Sequence, residues 1–222
     1  MVEDGAERMT EATRIIAIRH GETAWNVDTR FQGQLDIGLN ETGRWQAQRV
    51  ANALEYEPID VIYSSDLLRA WDTAISISAA TRRPLQTDEG LRERGFGRFE
   101  GNTFQEIEVK WPDEALRWRK REPDFAPEGG ESLVAFRERI EAVVDRLAAP
   151  HIGAQIVLVA HGGVMDVLYR AATRQAIQSP RTWELGNAAI NRLLWTPEGL
   201  CLVGWADTLH LEDGKALDES TA

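Results

Sequence analysis

The chain has 222 residues, which is long enough for one sizeable hydrophobic core, or for one core with an inserted subdomain. Hydrophobic residues make up 43% and charged residues 27%, as in an ordinary soluble globular protein, and the net charge of −11 argues against nucleic acid as a partner. No apolar run approaches the roughly 20 residues that cross a bilayer, and no secretory signal is visible. The lone Cys201 excludes an intramolecular disulfide. We therefore expect a cytoplasmic protein without a membrane partner.

Short apolar runs alternate with amphipathic stretches, a pattern that predicts buried strands separated by helices. Asn40 is expected to cap the first long helix; Asn40-Glu41-Thr42 also matches a glycosylation acceptor, but capping is favoured without a secretory signal. In chain order, the predicted elements are a strand at 14–18, a helix at 40–55, a strand at 59–63, a helix opened by 64–66 and ending near 81, a strand at 84–87, a helical insertion at 102–130, a helix at 131–147, a strand at 155–160, a helix at 164–173 and a hairpin of 188–195 with 200–205.

This alternation predicts an α/β fold, a three-layer α/β/α sandwich with a mainly parallel sheet and a small helical insertion. We expect one domain over residues 14–211, with residues 102–130 forming a lid, and loose tails at 1–13 and 212–222. In such sheets ligands bind outside the carboxyl ends of the strands. The residues that directly follow the strands are therefore the first candidates for a site.

Two of the four histidines, His20 and His161, directly follow predicted buried strands, and each precedes a glycine. Either one alone could be a strand-end histidine that is satisfied by the backbone. Both together, at one edge of a sheet, indicate an active site. A metal site is disfavoured because there is no HExxH motif and no third ligand at a recognisable spacing, so no metal or cofactor is predicted.

Two arginines supply the positive charge that a phosphate group needs. Arg19 adjoins His20, and Arg69 falls in the first turn of a predicted helix, where the helix dipole opposes a cation. An arginine that faces a bound anion at this position adds to the helix N-terminal amides. The alternative is an ion pair between Arg69 and Asp66 or Asp72.

An ordered series of motifs extends this pattern. It comprises Arg19-His20-Gly21-Glu22-Thr23-Ala24-Trp25-Asn26, Arg30-Phe31-Gln32-Gly33, Asp36, Asn40-Glu41-Thr42-Gly43, Ser64-Ser65-Asp66-Leu67-Leu68-Arg69-Ala70, Thr73-Ala74, Leu91-Arg92-Glu93-Arg94, Gly97, Glu100-Gly101, Gly130-Glu131-Ser132 and Val159-Ala160-His161-Gly162-Gly163. The series, with its RHG motif, resembles the phosphoglycerate-mutase-like branch of the histidine phosphatase superfamily over nearly the whole domain. No P-loop, cysteine-phosphatase loop or aspartate-rich signature competes with it.

The resemblance implies a phosphoglycerate-mutase-like fold and a metal-independent reaction through a phosphohistidine. His20 would be the nucleophile, and Arg19, Arg69 and a protonated His161 would surround the phosphoryl oxygens. It also implies neutral donors to the substrate from Asn26, Gln32, Gly33 and Gly162.

Glu93 would protonate the leaving oxygen and then deprotonate the attacking water, again by resemblance. By itself it could equally be a loop glutamate, and its neighbours Arg92 and Arg94 would favour the ionised form if they were close. Glu22 is the competing carboxylate, although its place in the motif suggests an orienting role.

Two departures from the mutase pattern favour a phosphatase. Gly163 stands where the mutase pattern has asparagine, and Thr103 stands where it has lysine. Arg117 and Arg121, in a basic run, form either a solvated helix face or a clamp for a second anionic group of the substrate.

We therefore predict a hydrolase that releases phosphate from a small phosphate ester. The alternative is an isomerase, a cofactor-dependent mutase that interconverts 2- and 3-phosphoglycerate. A binding protein that has lost turnover stays open as a third class, and the sequence does not predict the oligomeric state.

Overall fold

The computed structural model describes residues 12–212. Its strands are β1 (Thr13–Arg19), β2 (Val61–Ser64), β3 (Leu85–Thr87), β4 (Gln155–Ala160), β5 (Ile190–Thr196) and β6 (Gly199–Asp207). Its α-helices are α1 (Ala24–Val27), α2 (Glu41–Leu54), α3 (Leu68–Thr81), α4 (Phe104–Lys110), α5 (Pro112–Arg119), α6 (Leu133–Ala148) and α7 (Gly162–Thr173). Short 3₁₀ turns lie at Glu89–Leu91, Gly97–Phe99, Ala149–His151 and Leu209–Leu211.

The six strands form one sheet in the order β3-β2-β4-β1-β5-β6. The first four are parallel to one another, and the β5–β6 hairpin joins the β1 edge in antiparallel orientation. The predicted α/β class with a mainly parallel sheet is confirmed. In the register of the two central strands, Arg19 lies opposite Ala160, so His20 and His161 leave the sheet side by side.

Both faces of the sheet are covered, which explains why the central strands are apolar without alternation. Ile15 and Ala17 face a core shared with α6 and α7, while Ile16 and Ile18 face a second core shared with α2 and α3. The three layers hold the carboxyl ends of β1, β2 and β4 together at one edge.

The predicted insertion is helical, as expected, and has a small core of its own. Phe99, Ile107 and Phe125 are buried there. The ring of Trp118 packs edge-on against Phe31, at 5.4 Å between ring centroids. This aromatic packing attaches α4 and α5 to the loop that follows α1.

One predicted helix start is wrong. The helix expected to open at Ser64–Asp66 begins at Leu68, and its N-cap residue, Leu67, makes no side-chain cap. The Asp36 carboxylate, remote in sequence, accepts the hydrogen bond from the Leu68 amide at 2.7 Å instead. A distant carboxylate therefore replaces the local serine at this helix end.

Local capping was predicted correctly elsewhere. Asn40 caps α2 by accepting from the Gly43 amide at 2.8 Å. The predicted tails fall largely on residues 1–11 and 213–222, outside the described residues. Between residues 12 and 212, no helix is both long and apolar enough to cross a membrane.

Candidate active site

A cavity of about 420 Å³ opens at the carboxyl edge of the sheet. It is lined by Arg19, His20, Trp25, Asn26, Thr29, Arg30, Phe31, Gln32, Gly33, Arg69, Glu93, Phe96 and Arg181. Most of the predicted site residues therefore meet here although they come from five separate segments of the chain.

His20 is buried at the end of β1, with 3% of its surface exposed. Its ring Nδ1 lies 2.7 Å from the Gly21 carbonyl oxygen, so Nδ1 carries the proton and donates it to that oxygen. Burial, followed by the charges of Arg69 and Arg19, lowers the pKa of His20 well below its ordinary value. The Nε2 atom is thus an unprotonated, uncharged nitrogen with a free lone pair.

His161 precedes α7, and its ring centroid lies 5.2 Å from that of His20. Its Nε2 lies 2.8 Å from Ser65 Oγ, and its buried Nδ1 has no partner among the described residues. Burial, followed by the charges of Arg69 and His20, lowers the pKa of His161 well below its ordinary value. A buried imidazole beside arginines favours the neutral form, whereas the negative charge of a bound phosphoryl group would favour the protonated His161 expected from the sequence.

Arg69 is 1% exposed and is held by two backbone carbonyls. Its Nη1 donates to Leu35 O at 2.9 Å and its Nη2 donates to Gly33 O at 2.7 Å, while Nε has no partner in the described part of the chain. Burial lowers the pKa of Arg69 to about 10, so it stays charged at neutral pH. The alternative ion pair is not formed, since Asp66 pairs with Arg92.

Arg19 lies on the opposite side of His20. Its Nη1 donates to the Leu185 carbonyl, and its buried Nε has no partner within residues 12–212. A Cβ atom built on Gly162 would lie 3.4 Å from that Nε, which shows how closely the start of α7 approaches the guanidinium. Arg19, Arg69 and His161 thus each keep a buried nitrogen that is free for a ligand.

Thr23 orients two predicted amide donors. Its backbone amide donates to Asn26 Oδ1 at 3.0 Å, and its hydroxyl lies 3.0 Å from Gln32 Oε1. Because both side-chain oxygens are turned towards Thr23, the amino groups of Asn26 and Gln32 are available at the cavity. Thr23 was not predicted as a site residue, although it lies within the RHG motif series.

Gly33 completes this wall of the cavity. It has a positive φ of 53°, and a Cβ there would lie 2.0 Å from Glu100 Oε1. Glycine is therefore required both by the left-handed backbone and by the adjacent carboxylate.

Glu93 is held in the cavity by two backbone amides. Its Oε1 accepts from Arg94 N at 2.8 Å, and its Oε2 accepts from Gly163 N at 2.9 Å. The neighbouring arginines point elsewhere: Arg92 pairs with Asp66, and the Arg94 guanidinium stacks 4.4 Å above the Trp118 ring.

The competing carboxylate, Glu22, does not line the cavity and accepts from Asn40 Nδ2 at 2.8 Å. Glu93 is therefore the carboxylate that the fold brings to the nucleophile. Gly163 explains part of its position, since a Cβ there would lie only 2.2 Å from Glu93 Oε1.

Arg117 and Arg121, offered as a clamp for substrate, do not line the cavity. Arg117 pairs with Glu122 at 2.7 Å, and Arg121 pairs with Asp166 at 3.1 Å and donates to the Ile177 carbonyl. Arg117 thus pairs within its own segment, and Arg121 reaches a carboxylate on α7 that also pairs with Arg170. The clamp interpretation is therefore not supported.

Sequence analysis missed Arg181 in the cavity wall and Asn187, whose Nδ2 donates to the His20 carbonyl at 2.9 Å. Both lie between α7 and β5 in a stretch without regular structure, and no motif singles them out. Across residues 12–212, no group of three or more histidine, cysteine, aspartate or glutamate side chains is placed to hold a metal ion.

Comparison with known proteins agrees with this geometry. The family model of the histidine phosphatase superfamily (branch 1) matches residues 15–208. Phosphoglycerate mutase-like protein 4 of Arabidopsis thaliana is 38% identical, over 90% of this chain and 87% of its own. Glucosyl-3-phosphoglycerate phosphatase of Mycobacterium tuberculosis is also 38% identical, over 84% of this chain and 88% of its own.

A solved structure extends the likeness to three dimensions. Phosphoserine phosphatase from Entamoeba histolytica, in complex with 3-phosphoglyceric acid, superposes with a TM-score of 0.80 at 29% identity and covers 90% of this chain and all of its own. With a family match over residues 15–208 and relatives aligned over most of their length, the chain belongs to the histidine phosphatase superfamily.

Proposed function

We propose that this chain, through one catalytic domain over residues 14–211, is a phosphomonoesterase that transfers a phosphoryl group to Nε2 of His20 and then to water. One observation carries the proposal. A neutral imidazole, held by the Gly21 carbonyl, lies among buried nitrogens of Arg19, Arg69 and His161 that have no partner within residues 12–212. Phosphoryl oxygens are the natural acceptors for such donors.

In the first step, the lone pair of His20 Nε2 attacks phosphorus, and the bond from phosphorus to the ester oxygen breaks. Glu93 supplies the proton that the leaving oxygen takes up, which yields the alcohol. The proton stays bonded to Nδ1, which continues to donate to the Gly21 carbonyl, so the imidazole becomes a phosphorylated ring with one positive charge that the phosphoryl group offsets.

In the second step, the Glu93 carboxylate takes a proton from a water molecule as that water attacks phosphorus. The bond from nitrogen to phosphorus breaks, inorganic phosphate leaves, and His20 regains its lone pair. Arg19 and Arg69 stabilise the charge on the phosphoryl oxygens in both steps, since their fixed guanidinium groups need no rearrangement as that charge develops. The buried Nδ1 of His161, which has no partner within residues 12–212, adds a third donor when it carries a proton.

The choice of water over a sugar acid is supported by two residues. Thr103 caps α4 by accepting from the Glu106 amide, and Gly163 contributes a backbone amide rather than a side chain. Neither can hold the carboxylate of a retained phosphoglycerate as a lysine or asparagine would. The phosphatases among the relatives support the same choice, and their names suggest a small ester that also bears a carboxylate.

Rapid acid-free quenching after mixing with labelled phosphoserine tests the proposal. The wild type should retain label that is stable to alkali and labile to acid, as a phosphoramidate is, and His20→Ala should retain none. His161→Ala is the matched control, because it removes the other histidine of the site without removing the nucleophile, and it should still label, only more slowly.

Label that persists in His20→Ala would assign the nucleophile elsewhere. A wild type that binds phosphate but releases none from any ester would indicate the binding-protein class. Faster interconversion of 2- and 3-phosphoglycerate than hydrolysis of any ester would establish the mutase alternative.

A further inference from the structure

The segment between α7 and β5 is anchored to the body of the domain, although it has no regular structure. Trp183 is buried, and its ring stacks on Tyr169 at 4.2 Å between centroids. The Arg170 guanidinium lies 4.7 Å from the same ring and donates to the carbonyls of Ala176 and Ser179. The segment therefore has a defined position relative to α7.

The same segment is tied directly to the proposed catalytic residues. The Leu185 carbonyl accepts from Arg19, and the Ala188 amide donates to the Arg19 carbonyl at 2.9 Å. Asn187 holds the His20 carbonyl at 2.9 Å. These hydrogen bonds fix residues 185–188 relative to His20.

Arg181 is the cation that this segment brings to the site. It is exposed, and it lines both the cavity around His20 and an adjoining groove formed by Arg19, Gly162, Gly163, Glu184, Leu185 and Gly186. No carboxylate between residues 12 and 212 lies within ion-pair distance of it. This contrasts with Arg30, also in the cavity wall, whose charge is neutralised by Glu106 at 2.9 Å.

The positive charges of Arg19 and Arg181 repel each other. Burial lowers the pKa of Arg19, Glu93 raises it, and the nearby charge of Arg181 lowers it further. Of the acidic side chains that line the same cavity and groove within residues 12–212, Glu93 accepts from backbone amides and Glu184 does not lie within ion-pair distance of Arg181. A bound anion would remove this repulsion.

We propose that Arg181 binds a carboxylate that the phosphomonoester carries in addition to its phosphoryl group; this rests on the proposed function. The role that the sequence offered to Arg117 and Arg121 thus passes to Arg181. A carboxylate is favoured over a second phosphate because the names of two similar phosphatases, of glucosyl-3-phosphoglycerate and of phosphoserine, describe esters that bear one. Arg181 is therefore a specificity-determining residue, separate from the machinery of phosphoryl transfer.

Two pairs of esters, each differing in the carboxylate, test the assignment. Phosphoserine is compared with phosphoethanolamine, and 3-phosphoglycerate with glycerol 3-phosphate. The measured quantity is the ratio of kcat/KM for the carboxylated ester to that for its partner. We expect Arg181→Ala to lower this ratio about ten-fold, equivalent to about 1.4 kcal/mol, mainly through KM, and Arg181→Lys to lower it less.

Arg117→Ala is the matched control, since it removes a paired arginine outside the cavity, and it should leave the ratio as in the wild type. A wild type that treats both members of each pair alike, or an Arg181→Ala ratio equal to that of the wild type, overturns the role of Arg181 while the proposed function stands. If the wild type releases phosphate neither from any of the four esters nor from an aryl phosphate, the proposed function is overturned, and the role of Arg181 with it.

Discussion

Replacing Gly163 with alanine should separate the acid–base role of Glu93 from the rest of the site. The new Cβ would lie 2.2 Å from Glu93 Oε1 and 3.1 Å from its Cδ, whereas ordinary contact begins at 3.4 Å. The carboxylate oxygen must therefore retreat by about 1.2 Å, and a displacement of roughly 1 Å at a reacting group costs about 100-fold in rate.

The fold should tolerate this change. The closest atom belongs to the end of a flexible side chain, and Phe136, at 3.1 Å, has to yield by only a few tenths of an ångström. Alanine also suits the first turn of a helix better than glycine, by up to about 1 kcal/mol. We therefore expect the free energy of unfolding in urea to stay within about 1 kcal/mol of the wild-type value.

The assay compares a poor leaving group with a good one. Phosphoserine expels an alkoxide that needs a proton, while p-nitrophenyl phosphate expels a stable phenolate that scarcely does. The quantity compared is kcat/KM, which reports only the first step, because the second step, in which Glu93 activates water, is common to both esters. Gly163→Ala should lower kcat/KM about 100-fold for phosphoserine and less than about ten-fold for the aryl ester. Glu93→Gln should show the same selectivity, and the double variant should be little worse than either one.

Gly204→Ala is the matched control, because no atom lies within 4 Å of a Cβ built at that glycine. Equal losses on both esters in Gly163→Ala would show that the substitution disturbs phosphoryl binding rather than proton transfer. Losses in Glu93→Gln that do not depend on the leaving group would refute the acid–base assignment itself.

Three further predictions follow from the charges in the site. Vanadate at about 100 times its Kd should stabilise the wild type by about 2.7 kcal/mol in thermal unfolding, and it should stabilise Arg69→Ala much less. Arg69→Ala should also be less stable than the wild type when no ligand is added, because the carbonyls of Gly33 and Leu35 lose their donors. Because burial lowers the pKa of His20 and His161, these two side chains take up protons just below pH 6.5 only in the unfolded chain. The free energy of unfolding should therefore decrease as the pH is lowered, by up to about 1.4 kcal/mol per pH unit for each histidine. Urea unfolding in phosphate-free buffer should show a weaker pH dependence for His20→Gln, and an unchanged pH dependence would contradict the neutral His20. Phosphate release should survive a strong chelator, and its loss with recovery on adding a divalent metal would contradict the metal-independent mechanism.

Several features could be predicted from sequence because they depend on residues close together in the chain. Uninterrupted β-branched runs predicted two central strands, since strands covered on both faces need apolar residues throughout. His20 and His161 directly follow those strands, so a parallel pairing brings them to one edge whatever the rest of the chain does. The capping of α2 by Asn40 is likewise a contact across three residues.

Other features were decided by contacts between distant segments. Asp36 caps α3, which begins at Leu68, from outside the helix, while Ser65 bonds with His161. Similarly, the basic run in the insertion looked like a substrate clamp until Glu122 and Asp166 were found beside Arg117 and Arg121. Which carboxylate meets which arginine depends on the packing of whole elements.

The charge state of the site shows the same division. The motif series identified His161 as a phosphate-binding residue, but only its burial beside Arg19 and Arg69 determined that it is neutral without ligand, because desolvation is a property of the surrounding atoms. Arg181 has no motif and no periodic pattern around it. Its position at the cavity follows from the stacking of Trp183 on Tyr169 and from the hydrogen bonds of Leu185 and Asn187 to the strand end at Arg19 and His20, contacts that exist only once the chain has folded.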